Sequence, residues 1–221
     1  MAQPIVVDPK LNFLSGDTSV PFELFRPGTQ GRYPTIIIVH GAAGLKLGLD
    51  YRNVARTLAE RGYVVFLPHY FVRAQNEMSN PGGRPNFSIS LEVLFDLLHY
   101  AANQPDADTS RVGLLGVSLG AYLSLALATQ DTRVKAVVEY FGGLPQAYAG
   151  AVANMPPVLI LHGDADRDVY VGQAYGLAEM LDSHQRTYEM KIYPGQGHTF
   201  QGEAADDAQQ RTLQFFERHL Q

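Results

Sequence analysis

The sequence VGLLGVSLGAYLSLALA, residues 112–128, decides the fold predicted for this chain. Its apolar first part predicts a buried strand at 112–116, and its second part predicts a helix at 119–129. Ser118 lies between them in a G-x-S-x-G pattern, whose glycines remove side chains that would collide with the adjoining strand and helix. Such a turn exposes the serine hydroxyl at a helix N-terminus, where a developing negative charge is stabilised. The alternative is a serine that only caps an ordinary helix.

The segments on either side of this turn alternate between strand and helix. Two β-rich segments at 11–14 and 20–25 flank Ser15-Gly16-Asp17 and predict an antiparallel hairpin. Apolar strands joined by helices then favour a mostly parallel central sheet with helices on both faces. Because no linker sequence interrupts the 221 residues, we expect one α/β domain over residues 1–221. The remaining strands are predicted at 35–39, 63–67, 134–140, 158–161 and 187–192, and the remaining helices at 51–61, 88–103, 171–183 and 204–220.

A serine nucleophile needs a base that removes its proton, and His198 is the candidate. It lies in a glycine-rich loop between the strand at 187–192 and the last helix. A base that follows a late strand is typical of enzymes built around such a serine turn. His198 is therefore predicted to accept the proton of Ser118.

The base needs an acid, which should lie between the serine and the histidine in the chain. Asp164, Asp166 and Asp168 all follow the strand at 158–161. Asp164 stands beside a glycine and suits an Asx turn, while Asp168 suits the N-cap of the next helix. These two assignments favour Asp166 as the acid.

Two backbone amides are candidates for binding the oxyanion of an acyl-transfer intermediate. Leu119 directly follows the serine, and Ala42 lies in the loop His40-Gly41-Ala42-Ala43-Gly44 after the strand at 35–39. His40 is expected to tie this loop down. A plain glycine turn is the alternative interpretation of the loop.

The polar segment RAQNEMSNPGGRPN, residues 73–86, is long for a loop in a small domain. Loops that follow parallel strands often shape substrate pockets, and a surface loop without a ligand is an equally good interpretation. His69, just past a strand, is a further candidate for lining or supporting the site. The candidate pocket residues are Gly41, His69, Arg73, Arg84, Tyr140, Phe200 and Gln201.

The composition excludes several classes of protein. The absence of cysteine excludes disulfides, zinc–thiolate sites and a cysteine nucleophile. A formal net charge of −5, with 17 Lys and Arg that do not cluster, argues against nucleic acid as a partner. No apolar run reaches membrane-spanning length and the N-terminus does not have the pattern of a signal peptide, so we expect a cytoplasmic location without a membrane partner. None of the motifs implies a cofactor or a metal, and the oligomeric state is left open.

With these motifs placed, the chain resembles the dienelactone hydrolase family of the α/β-hydrolase superfamily over nearly its whole length. The likeness is carried by the serine turn, Arg61-Gly62-Tyr63, Tyr140-Phe141-Gly142-Gly143, His162-Gly163-Asp164-Ala165-Asp166, and Tyr193-Pro194-Gly195 leading to Gly197-His198. The resemblance implies an α/β-hydrolase fold without a large cap domain. In the carboxylesterase relatives it implies a triad acid three residues after the glycine of the His-Gly loop, which is Asp166 here.

Some positions depart from the pattern of that family. Members named for dienelactone hydrolysis have a cysteine at the position of Ser118, whereas carboxylesterase relatives have a serine. Gly41 and Gly202 stand where those members have a glutamate and an arginine that grips the substrate carboxylate, and His69 replaces an acidic residue. The departures argue against dienelactone itself as the substrate.

The resemblance and the motifs together predict a serine-dependent hydrolase of carboxylic esters, acting through Ser118, His198, Asp166 and an acyl-enzyme. A small ester or lactone is the expected partner. One alternative is a lactonase, thioesterase or small peptidase with the same triad. The other alternative is a catalytically silent binding protein that keeps the fold.

Overall fold

The computed structural model describes residues 3–46, 49–76 and 86–221. After three consecutive strands, strands and helices largely alternate along this part of the chain, and none of its helices has both the length and the apolar character needed to cross a membrane. The strands are β1 (Ile5–Ser15), β2 (Thr18–Pro27), β3 (Tyr33–Val39), β4 (Val64–Pro68), β5 (Ala107–Val117), β6 (Val134–Tyr140), β7 (Val158–Gly163) and β8 (Tyr188–Tyr193). The α-helices are α1 (Tyr51–Glu60), α2 (Phe71–Asn76), α3 (Phe87–Ala101), α4 (Leu119–Ala128), α5 (Gly172–Ser183) and α6 (Glu203–Leu220), and shorter 3₁₀ segments cover Gly44–Lys46 and Gln146–Asn154.

The first of two compact units is formed by residues 1–38 and 42–112. In it β1 and β2 form the predicted antiparallel hairpin, whose turn contains Gly16 with a φ of 54°. β2 pairs with β4 in the antiparallel direction, and β3 pairs with β4 in the parallel direction. The strand order in this unit is β1-β2-β4-β3-β5.

The second unit is formed by residues 39–41 and 113–221, with the strand order β5-β6-β7-β8. β6, β7 and β8 pair in the parallel direction, and most of their apolar side chains are buried. Successive residues of a strand point to opposite faces of a sheet. On β6, Tyr140 bonds to α6 through its hydroxyl, 2.7 Å from Thr212 Oγ1, so the preceding Glu139 points to the opposite face, where α4 packs.

The prediction of a mostly parallel sheet with an N-terminal antiparallel hairpin and surrounding helices is confirmed. The prediction of a loop over residues 73–86 is wrong for residues 73–76, because residues 71–76 form the helix α2. At the other end of the segment, Asn86 is the N-cap of α3. A short helix carries little periodicity, which is why the polar sequence did not indicate it. The rest of that segment, with Arg84, lies outside the described residues. The prediction of one domain over residues 1–221 stays a prediction.

Candidate active site

Ser118 lies at the junction of β5 and α4 with a φ of 55° and a ψ of −119°, a conformation that is strained for a residue with a side chain. Its backbone N–H donates to Tyr140 O at 2.8 Å, and its carbonyl accepts from Ala121 N at 2.9 Å. A Cβ on Gly116 would collide with the backbone of Gly120, and a Cβ on Gly120 would collide with Val39 O. The two glycines of the motif are therefore required by the packing of strand, turn and helix.

The Ser118 side chain does not cap α4, so the helix-capping interpretation of this residue is wrong. Its Oγ lies 2.9 Å from His198 Nε2, and His198 Nδ1 lies 2.7 Å from Asp166 Oδ2. A carboxylate only accepts hydrogen bonds, so Nδ1 carries the proton and Nε2 is free to accept the Ser118 proton. The structure thus brings the three predicted residues into one hydrogen-bonded chain.

Asp166 has a fully buried side chain, and donors surround its carboxylate. Oδ2 accepts from His198, while Oδ1 accepts from the amides of Asp168 at 2.8 Å and Val169 at 3.0 Å. Burial, the strongest single influence, raises the pKa of Asp166, but the hydrogen bonds from His198 and the two amides outweigh it and leave the pKa below its ordinary value. The acid is therefore ionised at neutral pH and holds His198 in the tautomer described above.

The structural roles predicted for the neighbouring Asp164 and Asp168 are wrong. Asp164 Oδ1 accepts from Gly195 N at 2.7 Å, in another loop, and the Asx-type turn belongs to Asp166. Asp168 does not cap α5, which begins at Gly172 after Val171 without a side-chain cap. Asp168 is exposed, and one of its carboxylate oxygens lies within 4.8 Å of a carboxylate oxygen of Asp166 and a ring nitrogen of His198, atoms that could together bind a metal ion. Because Asp166 and His198 already bond to each other, this grouping is that hydrogen-bonded pair with an exposed carboxylate beside it.

The loops that carry Asp166 and His198 are joined by backbone hydrogen bonds. Ala165 N donates to Gln196 O at 3.0 Å, and Asp164 N donates to Tyr193 O at 3.3 Å. Gly163 allows this approach, because a Cβ there would collide with Gln196 O. The joined loops keep the Asp166 and His198 side chains adjacent although 32 residues separate them in the chain.

His162 supports the acid and was missed by the sequence reasoning. Its side chain is fully buried, its Nε2 donates to Val169 O at 2.9 Å, and the same nitrogen lies 3.4 Å from Asp166 Oδ2. Burial lowers the pKa of His162, so the ring is neutral. A polar residue at the end of an apolar strand, directly before the aspartate loop, is the signal that could have indicated this role.

An aromatic cluster packs against the base. Phe141 has a φ of 58°, and its ring centre lies 5.0 Å from that of His198 and 4.6 Å from that of Phe200. Phe200, a predicted pocket residue, is buried in this cluster. Tyr140, also predicted for the pocket, directs its hydroxyl into the interior towards α6, and burial raises its pKa to about 12. Gln201 is exposed, and its backbone N–H donates to Gln196 Oε1 at 2.9 Å.

The remaining predicted site residues lie in other parts of the chain. In the second unit Gly41 is buried and accepts from His40 Nδ1 at 2.9 Å, while Leu119 is the first residue of α4. In the first unit His69 Nε2 lies 3.2 Å from Glu23 Oε1, a carboxylate that also binds Arg52. Two more of the predicted site residues lie in the first unit. Arg73 donates to Glu92 at 2.8 Å and to Ser15 at 3.0 Å, and Ala42 is exposed in the loop after β3.

Comparison with known proteins identifies relatives along almost the whole chain. The sequence model of the dienelactone hydrolase family matches residues 22–220. A Methylorubrum extorquens protein named as a carboxymethylenebutenolidase is 25% identical, over 99% of this chain and 86% of its own length. A Bradyrhizobium protein named as a 2-oxo-3-(5-oxofuran-2-ylidene)propanoate lactonase is 25% identical, over 89% of this chain and 88% of its own length. A crystal structure named as a dienelactone hydrolase of Klebsiella pneumoniae has the same fold, with a TM-score of 0.84 at 22% identity, over 98% of this chain and all of that one.

Proposed function

Because the chain belongs to the dienelactone hydrolase family, a family of hydrolases that act on lactones and esters, we propose that it hydrolyses carboxylic esters through a serine triad and an acyl-enzyme. One observation carries the proposal, namely the continuous hydrogen-bonded chain from Ser118 Oγ through His198 to Asp166. A serine in that arrangement has a base for its proton, and the base has an ionised partner. The His198 side chain is 23% exposed, so the reacting end of the chain is accessible while its acid is not.

In the proposed reaction Ser118 Oγ attacks the ester carbonyl carbon as His198 Nε2 takes the serine proton. The carbonyl oxygen becomes an oxyanion, which the amide of Leu119 would bind, because the first N–H groups of a helix have no intrahelical acceptor. The sequence assigns the second donor to the amide of Ala42. His198 then gives its proton to the alcohol oxygen as the C–O bond breaks, which leaves an acyl-enzyme on Ser118.

A water molecule completes the proposed cycle. His198 removes a proton from water as the water oxygen attacks the acyl carbon, and it returns that proton to Ser118 Oγ as the acid product leaves. Asp166 stays ionised throughout, because three donors stabilise its charge while His198 is transiently positive. No further reactant is needed.

Lactone opening is a second candidate for the same site. A lactone is a cyclic ester, so the same steps apply, except that the alcohol stays attached to the acyl group. The names of the Methylorubrum and Bradyrhizobium relatives favour this chemistry. Open-chain esters and a lactone of matched size, assayed side by side, separate the two candidates.

The largest effect is expected for Ser118→Ala with p-nitrophenyl acetate and p-nitrophenyl butyrate as substrates. Loss of the nucleophile should lower kcat by about 10⁴-fold or more. Ser124→Ala is the matched control, since Ser124 is a buried serine of the same helix whose hydroxyl has no hydrogen-bond partner among the described residues. Undiminished activity in Ser118→Ala would contradict the proposal. A wild type that fails to react with a fluorophosphonate probe would favour the silent binding protein.

A further inference from the structure

Glu139 is a carboxylic acid in the interior of β6, next to the catalytic turn and unused by the reaction proposed above. Its side chain is fully buried, and the residues that precede and follow it in the strand, Val138 and Tyr140, are buried too. Oε2 accepts a hydrogen bond from Gly142 N at 2.7 Å, while Oε1 has no hydrogen-bond partner among the described residues. An acid buried inside an apolar strand lowers stability, because its polar atoms give up water and a single hydrogen bond offsets only part of that cost.

The hydrogen bond from Gly142 to Glu139 closes a tight turn over residues 140–142. Phe141 lies at its centre with a φ of 58°, a conformation that costs free energy for a residue with a side chain. Gly142 packs too closely for a Cβ, which would collide with Ala121 Cβ of α4 and lie close to the Glu139 carboxylate. The carboxyl group of Glu139 thus stabilises the strained backbone by accepting the hydrogen bond from Gly142 N.

Two residues of this turn, Tyr140 and Phe141, contact the triad. Tyr140 O accepts from Ser118 N at 2.8 Å and so fixes the strained backbone of the nucleophile. The ring of Phe141 packs on the ring of His198, with 5.0 Å between ring centres, and edge-on to His162 at 5.9 Å. A displacement of the turn would therefore shift both the nucleophile and the base.

We propose that Glu139 is a positioning residue of the active site, whose carboxyl group holds the 140–142 turn and thereby places Phe141 against His198 and the Tyr140 carbonyl against Ser118. The inference rests on the proposed function, because the placement of His198 matters to the rate only if His198 is the base. Glu139 does not contact the reacting atoms and acts only through this turn.

The protonation state of Glu139 gives the proposal a distinctive pH dependence. Burial raises the pKa of Glu139 to about 8, and the Gly142 amide offsets only part of that rise. Three titratable groups face this region, namely Tyr122 of α4, His162 of β7 and Asp166 of the loop after β7. The pKa of Tyr122 is itself raised, first by burial and then by the charges of Glu139 and Asp166. On the opposite face, α6 contributes Thr212, which bonds to Tyr140. None of these groups is a cation at neutral pH, so ionisation of Glu139 above pH about 8 should disturb the turn.

Two substitutions of similar size separate the hydrogen bond from the volume that the side chain fills. Glu139→Gln keeps an oxygen that accepts from Gly142 N, whereas Glu139→Leu fills the space without an acceptor. At pH 7 we expect kcat/KM of Glu139→Leu to fall by about tenfold, equivalent to ~1.4 kcal/mol, and that of Glu139→Gln to fall by less than about threefold. The wild-type kcat/KM should decline above pH about 8, and this decline should be absent in Glu139→Gln.

Thr212→Val is the control for loss of a buried hydrogen bond on the other face of β6. It should lower the free energy of unfolding, measured by circular dichroism in urea, without changing kcat/KM or its pH profile. A second readout does not depend on turnover. The ring of Phe141, whose centre lies 5.0 Å from that of His198, should shift the NMR resonances of the His198 ring protons, and this shift should persist in Glu139→Gln and change in Glu139→Leu.

The outcomes are distinguishable. A Ser118-dependent esterase whose activity, pH profile and His198 resonances are the same in wild type and Glu139→Leu would overturn the positioning role. If Glu139→Leu does not fold, the comparison of wild type with Glu139→Gln remains. The same dependence of kcat/KM on alkaline pH in these two proteins would overturn the positioning role. A wild type without ester hydrolysis would overturn the proposed function instead, and the His198 resonances would then decide whether the placement by Glu139 stands.

Discussion

Two buried carboxyl groups near the same serine have opposite charge states. Asp166, in the loop after β7, has three hydrogen-bond donors, and its pKa lies below the ordinary value. Glu139, inside β6, has the Gly142 amide as its donor, and its pKa is raised to about 8. Burial opposes ionisation in both groups. Burial of the whole residue is complete for Glu139 and slightly less complete for Asp166, so the depth of burial and the number of donors around a carboxyl together decide whether it is charged.

The difference follows from the backbone around each residue. A loop that turns back on itself directs unused amides at one point, as the amides of Asp168 and Val169 are directed at Asp166. In a strand the amides are already used in pairing, as Val137 N is with Pro157 O. A carboxyl group in a strand therefore finds few donors and keeps its proton.

The strongest test of this comparison is Asp166→Asn. An amide at this position donates to His198 Nδ1, which leaves the proton on Nε2 and removes the acceptor for the Ser118 proton. We expect kcat to fall by about 10³ to 10⁴-fold. The controls Asp164→Asn and Asp168→Asn should each stay within about threefold of wild type, since neither residue bonds to His198. A loss as large in Asp168→Asn as in Asp166→Asn would show that the acid is misassigned.

The pH dependence of stability should differ in sign for the two carboxyl groups. Glu139 keeps its proton up to pH about 8 in the folded chain and loses it near pH 4.5 when unfolded, so its contribution to stability declines as the pH rises between these values. The slope should be at most about 1.4 kcal/mol per pH unit. Asp166 has a lowered pKa, so its contribution is present above its ordinary value of 3.8 and is lost as the pH falls below it.

Urea unfolding followed by circular dichroism at pH 5, 6, 7 and 8 measures the Glu139 contribution. Glu139→Gln has no titrating group at this position, so its free energy of unfolding should vary less across that range than that of wild type. Parallel curves for the two proteins would show that Glu139 is charged in the folded chain, which would remove the contrast with Asp166.

The smallest effect is expected at His162, which supports Asp166 indirectly. His162→Leu removes the N–H that donates to Val169 O, and we expect kcat to fall by about three- to tenfold. His162→Gln can still donate there and should recover part of the loss. Equal activity in His162→Leu and wild type would mean that the two amides and His198 suffice to hold the acid.

Much of the architecture could be predicted from local sequence. The strands and helices around Ser118 follow from apolar periodicity and from the two glycines, because these constraints act between neighbours in the chain. The helix at Phe71–Asn76 was not predicted, since it is too short to show a period. The roles of Asp164 and Asp168 were assigned wrongly, because the acceptors of a loop depend on which distant amides approach it, such as that of Gly195 for Asp164.

Chain order and local pattern are sufficient to predict Ser118 and His198, each just past a strand, because both signals lie in neighbouring residues. The choice of Asp166 over Asp164 and Asp168 also needed the family resemblance, since the local roles given to those two aspartates are wrong. The tertiary structure alone shows which of the three aspartates bonds to His198, and it alone reveals the contacts of His162 and of Glu139. These contacts join residues of different strands and loops, so they depend on how β6, β7 and the two loops pack together. The charge of each buried carboxyl follows from the donors that this packing brings to it and from how completely the packing excludes water.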